Sequence, residues 1–486
     1  METKAKIMDA LSAAALIKDG DCIAVNSFVG IESPVALHEA IEKSFDEKGS
    51  PRDLTMISAA GFGIWEREGN AEGYIRKGAV SRMICGHFGA MLSTKELVLE
   101  DRFEAYNLTL GGITHAIRAQ AAGLPGAISK VGPGLFVDPR VEGPAINRMS
   151  EGTELSRTLA RPIDIMGGEY MLYSLPKITV GLIKASAMDI DGNISLADEY
   201  LVGDALSIAQ AAKVNGGRVI VQVDRVLSER IDPKLAHIPA CLVDAVTVCP
   251  PEESEQAAGE AAPAPAKKRS AAAEIIGRRA AMELKPGDIV NIGIGIPEKV
   301  VGYAEKSGIS ERITLTVESG ATGGLPASGK IFGAMLDPGS VYPMGQQFDF
   351  YDGGGLDICF MGGLEADEEG NVNAHRGPGA FSGVGGFANI TSNTHTVVFC
   401  MTFNTKGLDV ETDGEGVRIV RDGAIPKFVK RVKSVSFSGK RAVENGQRVL
   451  YVTERCVFEL TPEGMKIREV YPGIDAERDI LKQLPW

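Results

Sequence analysis

Several features that identify common classes of protein are scarce or missing in this sequence. Aromatic residues make up 6% of the 486 positions. No uncharged apolar run reaches the roughly 18 residues that suggest a membrane-spanning helix. The formal net charge is −13, so the chain lacks the basic excess that attracts nucleic acids and anionic membranes. With 44% hydrophobic and 24% charged residues, it has the composition of a folded, water-soluble protein, and we expect neither a nucleic-acid nor a membrane partner.

Motifs for metal, disulfide and nucleotide chemistry are also missing. The seven cysteines are scattered without a Cys-x-x-Cys pair, which favours reduced thiols and a cytoplasmic protein. The six histidines include no pair at ligand spacing, so we expect no metal. There is neither a Gly-x-Ser-x-Gly elbow nor a Walker-type phosphate loop. The run NIGIGIPEKV contains Gly293 and Gly295 but lacks the third glycine of a dinucleotide fingerprint, so we expect no bound cofactor.

One segment divides the chain into two parts. Residues 250–270 read PPEESEQAAGEAAPAPAKKRS, with no aromatic or β-branched residue. Such a segment buries too little apolar surface to offset its ordering entropy, so the composition predicts a flexible linker. It would join an N-terminal half, residues 1–249, to a C-terminal half, residues 271–486.

The two halves resemble each other in sequence. KDGDCIAV near the start of the first matches KPGDIVNI near the start of the second. The run from Gly181 matches the run from Cys359 without a gap, as far as RVIVQV from Arg218 against TVVFCM from Thr396. Short apolar strands alternate with helix-like stretches throughout, which is typical of parallel sheets flanked by helices. The sequence therefore predicts an α/β protein of two tandem, internally duplicated open domains with mostly parallel sheets.

A duplicated scaffold needs its structural residues twice but its reactive residues once. Glu318 directly follows the apolar strand ITLTV and corresponds to Ala59 in the first half. The glycine pair Gly385 and Gly386 of FSGVGGF has no counterpart there. A carboxylate nucleophile and backbone N–H groups that bind an oxyanion are the parts needed for acyl transfer. Taken singly, a solvated strand-end glutamate and a tight glycine turn are the simpler interpretations.

Three motifs of the second half belong together: VESGATGGLPASGKIFGA from Val317, QQFDFYDGGGLD from Gln346 and GVGGF from Gly383. With them the chain resembles class I CoA-transferases, most of all the single-chain acetate and propionate CoA-transferases. YNLTLGGITHAIRAQAAGLPG from Tyr106 resembles their first-half segment, so the resemblance covers nearly everything except the linker. It implies their NagB-like fold, an active site in the cleft between the halves, acyl-CoA and carboxylic acid substrates, and a homo-oligomer, either dimer or tetramer. Short-chain fatty acid, ketone-body or carboxylate catabolism would be the metabolic setting.

The resemblance implies a ping-pong exchange carried on Glu318. Its carboxylate, ionised at neutral pH from a reference pKa of about 4.3, would attack the thioester, and a Glu318–CoA thioester would follow. The N–H group of Gly386, with the side chain or backbone of Asn291, would stabilise the oxyanion. Contacts to CoA or substrate are expected from four glycines: Gly293, Gly295, Gly385 and Gly111.

Some positions depart from the family pattern. Leu-Thr-Leu-Gly at 108–111 stands where many relatives have a glutamine, and Val35 stands where a glutamate is frequent. Both changes predict a roomier or more apolar acyl pocket. Because CoA is a polyanion, Lys330, Arg376 and Lys406 near the motifs are candidates to bind its phosphates. Two other functions stay open: an acyl-CoA hydrolase on the same fold, and a non-catalytic protein that binds CoA or a sugar phosphate.

Overall fold

The computed structural model describes residues 6–63, 71–250, 270–377, 380–412 and 416–486. The predicted linker lies almost entirely outside these described residues. No helix within them is long and apolar enough to cross a membrane.

The first half alternates strands with helices along the chain, as its sequence predicts. Its strands are β1 (Lys6–Ile7), β2 (Cys22–Asn26), β3 (Leu54–Ser58), β4 (Val80–Cys85), β5 (Glu104–Asn107), β6 (Ala127–Ser129), β7 (Ala160–Ile165), β8 (Gly168–Tyr173), β9 (Val180–Met188), β10 (Ile194–Ser195), β11 (Arg218–Val226) and β12 (Ala245–Val248). Its helices are α1 (Ala10–Ala14), α2 (Val35–Lys48), α3 (Glu72–Arg76), α4 (Leu92–Leu99), α5 (Leu110–Ala121), α6 (Glu154–Thr158) and α7 (Ala205–Val214).

Most of these strands form one sheet in the order β1-β12-β11-β9-β2-β3-β4-β5, and every neighbouring pair on this path is parallel. Strands β2 and β9 are buried along their whole length, and most of their residues are apolar, as is typical of central strands in a parallel sheet. Since alternate residues face opposite sides of a sheet, Ile23 and Val25 join one apolar cluster and Ala24 joins another. The sheet is therefore covered on both faces.

The second half has the same alternation, with more short strands. Its strands are β13 (Ile289–Ile292), β14 (Thr314–Val317), β15 (Ala321–Thr322), β16 (Leu325–Pro326), β17 (Met335–Leu336), β18 (Ser340–Val341), β19 (Ile358–Met361), β20 (Glu365–Ala366), β21 (Val372–Asn373), β22 (Arg376–Gly377), β23 (Ala380–Phe381), β24 (Thr396–Cys400), β25 (Asn404–Thr405), β26 (Asp409–Thr412), β27 (Val417–Arg421), β28 (Ile425–Pro426), β29 (Arg448–Val452), β30 (Cys456–Thr461) and β31 (Gly464–Val470). Its helices are α8 (Ala271–Ala281), α9 (Lys299–Ser307), α10 (Met344–Asp352), α11 (Phe387–Ser392), α12 (Gly439–Glu444) and α13 (Ala476–Asp479).

The sheet of the second half runs in the order β18-β15-β14-β13-β19-β24-β29-β30-β31. Strands β14, β13, β19, β24 and β29 are parallel to their neighbours in this run, and the strands at both edges are antiparallel. The order β24-β19-β13-β14 repeats the order β11-β9-β2-β3 of the first half, and the gapless sequence match pairs β11 with β24. The predicted α/β fold with duplicated, mostly parallel sheets is confirmed.

Helix α10, which carries the QFDFYD part of the motif, lies against α5 of the first half. The Arg118 guanidinium is 2.6 Å from the Asp349 carboxylate, and the His115 ring is 3.2 Å from it. The hydrogen bond from His115, ahead of that from Arg118, lowers the pKa of Asp349 to about 2. The most specific part of the sequence motif therefore connects the two halves.

Candidate active site

The carboxyl ends of β13, β14 and β19 open into a cavity of about 820 Å³. Glu318 lies on its wall because it is the first residue after β14, where the backbone leaves the sheet. In open α/β sheets ligands bind beyond these strand ends. The wall also contains residues of the first half, namely Phe28, Val29, Ala60, His87 and Leu110. The cavity therefore lies between the halves.

The loop before α11 brings a glycine against the Glu318 carboxyl group. A Cβ atom at Gly386 would lie 2.9 Å from the Cδ atom of Glu318 and 3.0 Å from one of its oxygens. Real Cβ atoms essentially never approach so closely, so a side chain at this position would force the loop or the Glu318 carboxyl group to move. The N–H group of Gly385 donates to the carbonyl of Gly86 (2.8 Å), and Leu110 donates to the carbonyl of Gly385 (3.2 Å). Contacts with the first half thus hold this loop against Glu318.

Glu318 has unusual electrostatics for a glutamate. Its carboxyl group is accessible from the cavity but surrounded by protein, and this burial raises its pKa from 4.5 to about 7. The part of the chain that the structure describes supplies it with no ion pair or hydrogen bond that would oppose the shift. The sequence led us to expect full ionisation at neutral pH from the reference pKa. The structure corrects that expectation, because desolvation disfavours the charged form.

Asn291 lies on the same wall, but its side chain is already engaged. Its Nδ2 atom donates to the carbonyl of Thr316 (3.2 Å) and to the hydroxyl of Tyr351 (3.1 Å). The Tyr351 hydroxyl donates in turn to the Thr316 side chain (2.8 Å). An amide nitrogen has only two hydrogens, so the Asn291 side chain has no further N–H group for an oxyanion. It ties β13 to β14 beside Glu318, and its oxyanion role stays a prediction.

The four glycines that the sequence assigned to CoA or substrate lie in different parts of the structure. Gly293 and Gly385 lie on the cavity wall. Gly295 belongs to the same loop as Gly293 and has a φ of +87°, which a turn with glycine tolerates. Gly111 lies in the contact between the halves, where its N–H group donates to the Asn389 side chain at 3.1 Å. A Cβ atom there would be 2.4 Å from Asn389 Nδ2, so close packing accounts for this glycine.

The first-half wall contains residues that the sequence did not single out. The Phe28 ring covers Gly333 so closely that a Cβ atom there would lie 2.2 Å from Phe28 Cδ1. The centroid of the Phe28 ring is 6.2 Å from the centroid of the Phe332 ring. Burial, with a smaller effect of the Lys95 charge, lowers the pKa of His87 to about 4, so its imidazole is neutral at pH 7. The departure from the family pattern at Val35, just after the loop that contains Phe28, was the available signal for Phe28, whereas no local pattern marks His87.

The basic residues near the motifs are placed differently from the sequence expectation. Lys427 lies on the cavity wall, where its ammonium group donates to the carbonyl of Gly363 (2.8 Å) and burial lowers its pKa. Arg376 instead forms an ion pair with a carboxylate of the first half at 3.4 Å. Lys406 is not among the residues of the wall, and the side chain of Lys330 lies outside the described part.

A cavity between two duplicated α/β units, with a desolvated glutamate against a glycine turn, contains the groups that acyl transfer requires. The family model of coenzyme A transferases matches residues 7–248 and 273–402. The chain belongs to the coenzyme A transferase family. It is an enzyme that exchanges CoA between acyl-CoA and carboxylic acids, and it is similar to acetate CoA-transferases.

Relatives cover almost the whole chain. Caffeate CoA-transferase of Acetobacterium woodii is 38% identical over 99% of this chain and 94% of its own length. Acetate CoA-transferase YdiF of Escherichia coli K12 is 34% identical over 94% of this chain and 87% of its own. The crystal structure of the YdiF apoenzyme from Escherichia coli O157:H7 has a TM-score of 0.90 and 31% identity, covering 100% of this chain and 94% of that one. A thioester complex of the same acyl-CoA transferase with CoA has a TM-score of 0.89 and 32% identity, covering 99% and 93%.

Proposed function

We propose that the enzyme moves CoA from an acyl-CoA to a free carboxylic acid through a covalent thioester between Glu318 and CoA. The observation that carries this proposal is the carboxyl group of Glu318, desolvated on the cavity wall with Gly386 packed against it. Further support comes from the related acyl-CoA transferase YdiF, which was crystallised as a thioester complex with CoA.

The reaction divides into two acyl transfers and their reversal. A carboxylate oxygen of Glu318 attacks the thioester carbonyl, the C–S bond breaks, and CoA thiolate leaves an acyl-glutamyl anhydride. The thiolate attacks the glutamyl carbonyl, the C–O bond breaks, and the free acid departs from a Glu318–CoA thioester. A second carboxylate then reverses both steps and leaves as the new acyl-CoA. Each intermediate conserves the energy of the first thioester, so ATP is not consumed.

The geometry suits two further demands of this chemistry. Each tetrahedral intermediate carries an oxyanion, and the Gly386 N–H group, at the start of α11 beside Glu318, is our candidate to stabilise it. The anhydride has to be protected from water, since hydrolysis would waste it. A cavity with walls from both halves and a largely apolar first-half side would limit access of water to Glu318.

The pH dependence follows from the raised pKa of Glu318. Only the ionised carboxylate attacks, so we expect kcat/KM for the acyl-CoA to rise with pH through about 7. Below that value it should fall about tenfold per pH unit, because the protonated fraction grows in that proportion. Initial rates between about pH 5 and 9, with circular dichroism as a control for unfolding, would check this. A flat profile between about pH 5 and 7 would contradict a nucleophile with this pKa.

We further propose that the acyl pocket accepts groups larger than acetyl. Phe28, Val29, Ala60 and Leu110 make the first-half wall apolar, and caffeate is the acid in the name of one relative. We expect butyryl-CoA or caffeoyl-CoA to exceed acetyl-CoA in kcat/KM by about tenfold, the range that a few buried apolar groups supply. Mass spectrometry of a mixed acyl-CoA and carboxylic acid panel measures this directly. A strict preference for acetyl-CoA would contradict it.

An acyl-CoA hydrolase on the same fold is the second candidate function. Product formation with and without an added carboxylic acid separates the two, since a hydrolase needs no acceptor. A non-catalytic protein that binds CoA or a sugar phosphate would acquire no CoA mass. We also expect a cytoplasmic homo-oligomer that acts in short-chain carboxylate metabolism, which cell fractionation and light scattering would test.

A further inference from the structure

The loop between β2 and α2 forms part of the cavity wall in a strained conformation. Phe28 and Ile31 each donate a backbone hydrogen bond to the other's carbonyl, both at 3.1 Å. Val29, which lies between these two residues, has a φ of 55°, and Glu32, which follows Ile31, has a φ of 57°. Residues other than glycine rarely adopt this left-handed conformation, and it persists where the surroundings enforce it. Something must therefore hold this loop in place.

A buried cluster of charged groups lies at the far end of the loop. Glu32 is only 6% exposed, and its carboxyl oxygen accepts a hydrogen bond from the N–H group of Tyr200 at 2.9 Å. Its carboxyl group is also within hydrogen-bonding reach of the Glu199 carboxyl group. The ammonium group of Lys184 lies 2.9 Å from Glu199 and 3.1 Å from Asp224.

The cluster has three carboxyl groups and one ammonium group, so its protonation is constrained. Two buried carboxyl groups that touch do not both ionise, because like charges and desolvation oppose the second charge. Burial, then the charge of Glu199, raises the pKa of Glu32. The pKa of Glu199 is lowered despite its burial, through the hydrogen bond with Glu32 and the charge of Lys184. These directions fit a carboxyl pair that shares one proton, with Glu32 as the donor to the Glu199 carboxylate.

We propose that protonated Glu32 is a positioning residue, which anchors the β2–α2 loop to Glu199 so that Phe28 and Val29 shape the apolar wall of the acyl site. Glu32 itself does not line the cavity, so it acts through these two side chains. The inference rests on the proposed function, since it takes the cavity as the site of the acyl group. Its chemistry is a hydrogen bond from a neutral acid, and a glutamine can supply the same bond.

Three variants test the role of Glu32. Glu32→Gln keeps an N–H donor for Glu199 and an acceptor for the Tyr200 N–H group, and we expect its KM for the preferred acyl-CoA within about threefold of wild type. Glu32→Ala releases the loop, and we expect that KM to rise at least about tenfold, since small displacements of a binding group have large effects. At saturating acyl-CoA, the rate of Glu318–CoA formation should change much less than KM. Glu39→Ala, an exposed glutamate on α2, is the matched control.

The outcomes separate this inference from the proposed function. If Glu32→Ala does not fold, Glu32→Asp, which shortens the acid by one methylene, should raise KM in the same direction. A Glu32→Gln enzyme as impaired as Glu32→Ala would overturn the proposed O–H donation, and unchanged KM in both Glu32→Ala and Glu32→Asp would overturn the positioning role. If the wild-type enzyme formed no CoA adduct on Glu318, the proposed function would be contradicted instead. The positioning role of Glu32 would then be tested by measuring the Kd of each variant for acyl-CoA by calorimetry.

Discussion

Replacing Glu318 by alanine is expected to abolish CoA transfer, with a loss of about 10⁴-fold or more, as for other covalent nucleophiles. Incubation of the wild-type enzyme with acyl-CoA and no acceptor should add the mass of CoA to the peptide that contains Glu318. The Glu318→Ala variant should show no such adduct. Intact-protein and peptide mass spectrometry, together with a transfer assay, provide both measurements.

The same substitution should leave the fold intact. Glu318 forms no hydrogen bond or ion pair within the described chain, and removing its desolvated carboxyl group relieves a cost of burial. We therefore expect a thermal unfolding midpoint equal to or above that of the wild type. Glu311→Gln, an exposed change in the same half, is the control and should retain full transfer. Transfer near the wild-type rate by Glu318→Ala would show that another group is the nucleophile.

Replacing Gly386 by alanine is expected to lower kcat by about 10²-fold, because the backbone N–H group remains but is displaced from the oxyanion, and full loss of one such donor usually costs about 10² to 10³-fold. The added methyl group would lie 2.9 Å from the Cδ atom of Glu318, so either the loop or the carboxyl group has to move. Single-turnover measurement of Glu318–CoA formation would assign the loss to the chemical step.

A matched control for this change exists in the same half. Gly302 is on helix α9, and a Cβ atom there has no neighbour within 4 Å. Gly302→Ala should therefore leave transfer unchanged and stabilise the helix by about 1 kcal/mol. If Gly386→Ala were as active as Gly302→Ala, Gly386 would have no role in the chemistry.

The sequence was sufficient for the parts of the site that are local. ITLTV predicts a buried strand, and its end fixes the sheet edge at which Glu318 emerges. The gapless match of the halves predicts equivalent strands, and the two sheets repeat the same strand order. The strand pattern and the match between the halves can both be seen in the order of residues within short segments, without knowledge of contacts between distant parts of the chain.

Contacts between distant segments were beyond that reasoning. QFDFYDGGG was recognised as a motif, but its pairing with Arg118 and His115 across the halves depends on how α10 meets α5. Asn291 was expected to stabilise an oxyanion through its side chain or its backbone, and the structure shows that its side-chain N–H groups bond to Thr316 and Tyr351. A hydrogen-bond donor has a fixed number of partners, and only the folded chain shows which ones it has found.

By itself, the order of residues determined a duplicated α/β scaffold, placed one unmatched glutamate at a strand end and one glycine pair in a turn, and carried the family resemblance. Only the tertiary structure decided that these two features touch and that residues of the first half, such as Phe28 and Leu110, complete the wall of the cavity. It also decided that burial raises the pKa of Glu318 to about 7. The physical reason is that strand periodicity is a property of neighbours along the chain. Desolvation and close packing are properties of neighbours in space. Phe28 and Gly333, for example, are in contact although they lie more than 200 residues apart in the sequence.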